Sequence, residues 1–325
     1  MRLHLAVLLF GASGLVGKAV SAPALSIACV RSLVACLVLA LLTGLRRSWT
    51  LPCPGATCSA PAKSSGRDRG ADNLVRHFPA GGVGRRGWLA LLGCGRAGRR
   101  PAGVLLLLGG ALLAAHWWSF FAAIQRSTVA LGLLTFASYP LFAAVLGSLL
   151  LRERLRRTDA LACAAVVAGL ALVVPDWRFG SQGGQAAALG ILSGLTFALL
   201  TLVNRRLTAS LPALVLVGAQ TGVAGLLLLP VAAGQFGAMP ARDWLLLLAL
   251  GVVSTALAHA CFAAALKQVR VATAGVTTAL EPVYGIAFAW LLLGERPALA
   301  MLAGGLLIIG AAALGATAKD SFATD

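Results

Sequence analysis

Two segments of this chain place a proline beside a polar side chain in the middle of an apolar run. In the stretch 271–297 the pair is Glu281-Pro282, and in 129–154 it is Tyr139-Pro140. Each proline follows a Val-Ala pair by ten residues and precedes a Glu-Arg pair by thirteen, so the two segments read as copies of one unit. A proline inside a helix has no N–H and crowds the carbonyl four residues earlier, here that of Phe136 or of Thr278. A carbonyl freed in hydrocarbon must be satisfied by protein, water or solute, so such breaks belong beside a cavity. The plainer alternative is a packing kink, with Thr277 or Thr278 bonding the backbone. An ionisable group near mid-span is a functional hypothesis by default, because its charge state answers to what binds nearby. That makes Glu281 the leading candidate for handling a proton or a charged solute. At helical spacing Thr273, Thr277, Glu281 and Tyr284 share one face, and Thr128, Thr135, Ser138 or Tyr139, and Phe142 share another. Two such faces can converge on one cavity.

Other polar side chains fall within apolar runs. Arg31 lies about two turns inside the second helix, where a guanidinium needs an anionic or carbonyl partner, either a solute or the end of a neighbouring helix. His116 stands beside Trp117 and Trp118; its ring suits solute binding or proton transfer, or an interhelical hydrogen bond. His259, one turn from Thr255, reads as structural. Lys18 suits a side chain snorkelling to the interface or a residue of the solute path. Glu153 and Glu295 follow their helices directly and are expected at the membrane surfaces, holding helix ends and arginines. No set of residues has the spacing of a catalytic nucleophile and base, or of an HExxH site. The seven cysteines show no CxxC or Cys/His ligand pattern, so neither catalytic residues nor a metal or other cofactor is expected.

The elements that must carry these residues follow from composition. Of 325 residues, 59% are hydrophobic and only 11% charged, with a mean hydropathy of +0.89. Apolar runs recur at about the 20 residues of a spanning helix, without the period-two alternation of a barrel strand. A net charge of +17 would suggest nucleic acid in a soluble protein. Here the basic residues lie between the apolar runs, which points to the lipid bilayer and away from nucleic acid. The fold class is therefore an all-α integral membrane protein. Ten helices are expected, near 3–20, 24–45, 102–124, 129–151, 159–174, 186–203, 211–233, 244–266, 271–293 and 298–318. The stretch 46–100 is rich in Gly, Pro and Arg and reads as a basic, disordered cytoplasmic loop, or as an insertion foreign to the fold.

With a cytoplasmic N-terminus, and the long loop set aside, basic residues number ten on the cytoplasmic side against four opposite, which places both termini in the cytoplasm. A polar gap at 175–185 splits the helices five and five. An odd number per copy forces the second to enter the membrane from the other side, so the chain reads as two inverted five-helix repeats, 1–174 and 186–317.

On its motifs the sequence resembles EamA-type permeases of the drug/metabolite transporter superfamily. The first copy carries His116-Trp117-Trp118, Phe120-Phe121-Ala122-Ala123, Ser127-Thr128-Val129-Ala130, Tyr139-Pro140-Leu141 and Glu153-Arg154. The second carries Phe262-Ala263-Ala264, Val271-Ala272, Leu280-Glu281-Pro282-Val283 and Gly294-Glu295-Arg296. The likeness covers nearly the whole chain except the basic loop, where the family has a short connection. It implies a multi-pass protein of the cell (inner or cytoplasmic) membrane, more often an exporter than an importer. The expected partners are a small-molecule solute and the bilayer, and a homodimer is compatible with it. The combined expectation is secondary active transport of a small metabolite, amino acid or drug by alternating access, with proton coupling as an option. Glu281, Pro282, Pro140, Tyr139, His116, Thr277, Tyr284 and Arg31 are expected along the solute path. A channel or a non-transporting scaffold is the alternative, ahead of an intramembrane enzyme.

Overall fold

A computed structural model describes residues 1–48, 100–151, 157–174, 176–178, 180–208, 211–265 and 277–318. Among them the chain forms only helices and turns. The first helices are α1 (Arg2–Ala19), α2 (Ala24–Ser48) and α3 (Arg100–Arg126). A broken pair follows, α4 (Val129–Phe136) and α5 (Tyr139–Leu151), and then α6 (Arg157–Val173) and α7 (Gln182–Leu207). Helix α8 (Ala213–Ala232) runs into a 3₁₀ turn, Ala233–Ala238. Helix α9 (Ala241–Gly251) continues through a π-helical turn, Val252–Leu257, into α10 (Ala258–Ala265). The last elements are α11 (Glu281–Leu293) and α12 (Leu299–Ala318). Among the described residues seven helical stretches are long and apolar enough to cross a membrane, and α11 and part of α12 are apolar but shorter. Most of the basic loop, Glu153-Arg154, Val271-Ala272 and Thr273 lie outside the described residues, although α2 and α3 extend to Ser48 and from Arg100.

Both expected breaks fall at the prolines, and in each the proline opens a new helix. Helix α4 closes through Ala137 N–H donating to the Leu133 carbonyl (2.9 Å), and α5 then starts with Pro140 as its second residue. In the other copy Leu280 N–H donates to the Thr277 carbonyl (3.1 Å), and α11 starts at Glu281 with Pro282 in its first turn. Proline is tolerated there because first-turn N–H groups have no partner within the helix. Thr128 caps α4, accepting from Leu131 N–H at 3.1 Å, and Ser181 caps α7, accepting from Gly184 N–H at 3.0 Å, as short hydroxyl side chains do at helix starts. Gly294, at φ 70°, ends α11 in the left-handed conformation that costs glycine least.

Helix α3 lies along α7, α2 along α8, and α6 along α12, while α1 packs on α11 and on the α9–α10 segment. Small residues permit the closest of these approaches. A Cβ at Gly169 of α6 would sit 2.7 Å from the Gly304 carbonyl of α12, and one at Gly11 of α1 would sit 2.9 Å from the Glu281 carbonyl. Phe121, Ile124, Leu133, Leu247 and Leu250 fill the main core. The outer surface is just as apolar, with Leu149, Leu161, Leu291, Leu299 and Leu306 each 70–84% exposed. A helix apolar on every side is stable where lipid replaces water.

Candidate functional site

The broken helices and their neighbours surround a cavity of about 330 Å³. Glu281 enters it from the first turn of α11, Tyr139 from the first turn of α5, His116 from α3 and Arg31 from α2. Phe136, Tyr139 and Phe197 form an aromatic wall: Tyr139 stacks on Phe136 at 5.6 Å and meets the Phe197 ring edge-on at 5.2 Å. His116 joins the same wall, 5.0 Å from Phe197 and 5.2 Å from Phe136. Its Nδ1 lies 2.8 Å from Ser193 Oγ and 3.2 Å from the Ser193 carbonyl, so α7 fixes the ring.

Arg31 is 3% exposed. Its Nε donates to Thr255 Oγ1 at 2.9 Å, and its Cζ lies 4.1 Å from the Trp117 ring centroid and 5.4 Å from that of Phe121. The anionic or carbonyl partner expected from sequence is replaced by a hydroxyl and two aromatic faces, the latter worth most where water is excluded. His259 donates from Nδ1 to the Thr255 carbonyl at 2.7 Å, which leaves Nε2 of the neutral ring as an acceptor. This matches its structural reading, although His259 also lines the cavity. The Glu281 side chain makes no hydrogen bond or ion pair among the described residues, and Glu281 lines the same space as Arg31. Gln220 Nε2 donates to Asn204 Oδ1 at 2.6 Å across α8 and α7, on the way to Thr208 and Ala213 at the cavity's outer reach.

Four of the eight residues expected along the path, Glu281, Tyr139, His116 and Arg31, thus line one space. Pro140 and Pro282 flank a small crevice beside it. Thr277 and Tyr284 line neither. Thr278 takes the lining position expected of Thr277, because the turn at Ala279–Leu280 shifts the face by one residue. The Tyr284 hydroxyl meets His4 Nδ1 of α1 at 3.1 Å in an exposed setting. The uninterrupted helical face assumed from sequence does not survive the break before α11.

A separate polar network joins turns and helix ends. The Asp243 carboxylate accepts from the backbone N–H groups of Ser21 and Ala22 and from the Ser21 hydroxyl. Gln125 Nε2 donates to the Ala22 carbonyl at 2.8 Å. Lys18 Nζ donates to the Ile124 carbonyl at 3.1 Å and to that of Ser127. Glu295 accepts from Val129 N–H at 2.8 Å, holding the start of α4 as a carboxylate holds a helix N-terminus. No residue of this network lines the cavity. Asp243, Ser193 and Phe197 carry no sequence signal of these roles, since each acts through a partner far away in the chain.

Against known proteins, the sequence matches the EamA-like transporter family over residues 86–174 and 185–316. It is 31% identical over 206 residues to protein RarD of Escherichia coli K12, a match covering 59% of this chain and 64% of RarD. It is 29% identical over 224 residues to the pseudopaline exporter CntI of Pseudomonas aeruginosa, covering 68% of this chain and 78% of CntI. A solved crystal structure superposes with a TM-score of 0.56 at 18% identity, over 99% of this chain and 96% of the other, a likeness of fold.

Proposed function

The chain belongs to the EamA-like transporter family of the drug/metabolite transporter superfamily, whose members are membrane transporters and not enzymes, and from that premise we propose that it moves a small solute by alternating access. The observation that carries this is a cavity lined by an acid, an arginine and an aromatic wall, which extends to Thr208 and Ala213 and includes no residue of the Asp243 network; we read the side of that network as the closed one. A path blocked at one end is what a transporter that exposes its site to one side at a time requires. With the N-terminus cytoplasmic, the Thr208 side faces the cytoplasm. That is the loading position for export, in keeping with CntI being named an exporter.

The arrangement as ten helices in two inverted repeats, 1–174 and 186–317, is supported by the packing. Exchanging each helix of one half for its counterpart turns the contact of α3 with α7 into that of α9–α10 with α1. It turns the contact of α1 with α11 into that of α7 with α4 and α5. Repeats that exchange contacts in this way can rock about a central site. The solute is a small metabolite, amino acid or drug with an apolar or aromatic body, and Glu281 is the residue placed to couple its movement to protons.

The test begins with a comparison of metabolites inside and outside cells that have or lack the protein. Each solute that responds is then followed into proteoliposomes. Saturable uptake with competition supports the proposal; flux without saturation indicates a channel, and no flux of any responding solute indicates a scaffold.

A further inference from the structure

We propose that Arg31 is the anion-recognition residue of the cavity, receiving a solute carboxylate on its two Nη groups, and that Thr255 is the positioning residue that aims it. The proposal rests on the cavity being a solute site and specifies the chemistry of what binds there.

Arg31 is 3% exposed, yet among the described residues only Nε has a protein acceptor, the Thr255 hydroxyl. Among the described residues no carbonyl or carboxylate accepts from either Nη, and Glu281 makes no ion pair with the guanidinium. No fully buried side-chain nitrogen or oxygen among them lacks a partner, so the Nη groups must reach the open space that Arg31 lines. A guanidinium presents paired N–H groups in a planar fork that fits a carboxylate with two parallel hydrogen bonds. The plane is set from both sides, by Trp117 under its face and by Thr255 at Nε.

Thr255 owes its position to the π-helical turn Val252–Leu257. Its hydroxyl donates to the Leu250 carbonyl five residues earlier, at 2.9 Å, which directs its oxygen lone pairs toward Arg31. Single π turns within α-helices concentrate at functional sites. Its backbone carbonyl is taken by His259, so both oxygens of Thr255 are committed. The aromatic wall of Phe136, Tyr139 and Phe197 lines the same cavity. The fitting solute is a carboxylate with an apolar or aromatic body.

The probes are 3-phenylpropionate and its amide, equal in shape and differing in charge, titrated into the full chain in lipid nanodiscs. The parent should bind the carboxylate at least about tenfold more tightly than the amide, the gain of a charge-assisted pair in a dry site. Arg31→Gln should abolish that ratio and Arg31→Lys should lower it. Thr255→Val, which keeps shape but removes the acceptor, should lower the ratio several-fold, and Thr255→Ser should restore it. A purely structural threonine would change thermal stability without moving the ratio. Equal affinities in the parent, or no carboxylate binding at millimolar concentration, overturns the anion assignment; a parental ratio in Thr255→Val overturns the positioning role. If Arg31→Gln does not fold, the parent ratio and the Val/Ser pair still decide. Flux is measured separately. Selective carboxylate binding without transport of any solute would refute the transport proposal and leave Arg31 standing, whereas flux of solutes without carboxylate preference would do the reverse.

Discussion

Asp243 of α9 holds Ser21 at the α1–α2 turn through one oxygen, Oδ2, which accepts from its hydroxyl at 2.6 Å and from its backbone N–H at 3.0 Å. Asp243 is 1% exposed, so a large part of its solvation is replaced by these bonds and by that of Ala22. The contact joins the first half of the chain to the second; on the proposed alternating-access cycle it lies at the closed end, and opening that end would break it.

Asp243→Asn removes the charge from the group whose Oδ2 accepts all three bonds, which should weaken the closed end by about 1–2 kcal/mol, a roughly five- to thirtyfold shift toward opening. Cys29 reports the change. It is buried between α2 and α8, with Sγ 3.5 Å from the Gly225 carbonyl. In a chain with the other six cysteines replaced, thiol labelling of Cys29 should speed up by that factor in Asp243→Asn. An unchanged rate would mean the contact does not limit opening.

A second expectation concerns the break itself. A Cβ on Gly190 of α7 would run into Thr135 Oγ1, while one on Gly183 meets nothing within 4 Å. Gly190→Ala should therefore cost about 1–3 kcal/mol by overpacking against α4 and lower the temperature of unfolding in detergent. Gly183→Ala should leave it nearly unchanged. Equal melting of the two variants would show that the α4–α7 contact yields easily.

Orientation is open to direct labelling. With the N-terminus cytoplasmic, cysteines introduced at Gly180 and Ala238 should react with an impermeant reagent added outside intact cells, and one at Thr208 should not. All three positions are exposed, so burial does not confuse the result. The reverse pattern would turn the cavity to the outside and remove the structural argument for export.

What was legible in the sequence is what local chemistry decides. A proline kinks or breaks a helix, and at Pro140 and Pro282 both breaks fall. Glu281, Tyr139, His116 and Arg31 were recognisable as polar groups that a bilayer tolerates only inside a bundle. Their partners were not. Thr255 is 224 residues from Arg31 and Asp243 is 222 from Ser21, and such pairings follow from helix packing that no local pattern encodes. The π turn in Val252–Leu257 contains neither glycine nor proline, so nothing in its composition distinguishes it from regular helix. Tyr284 was misplaced for a related reason: a face extrapolated across a break loses its register.

The last expectation is that Glu281 governs transport through its charge state and not its bulk. Among the described residues its carboxylate has no hydrogen-bond partner, and Glu281 lines the same space as Arg31, His116, His259 and Tyr139. A group so placed contributes little to packing, and its ionisation answers to every charge that enters the cavity. Glu281→Gln keeps the shape and removes the titration, so this variant should insert and melt like the parent. Its uptake into proteoliposomes, at matched protein density, should lose the response to an imposed pH gradient. Tyr139→Phe keeps the stacked ring on Phe136 and loses only a hydroxyl, so it should shift half-saturation by a few-fold, about the worth of one neutral hydrogen bond. If Glu281→Gln transports as fast as the parent with the same pH response, the acid is a passive lining group. The coupling role would then pass to His116, the ring that Ser193 holds against the aromatic wall.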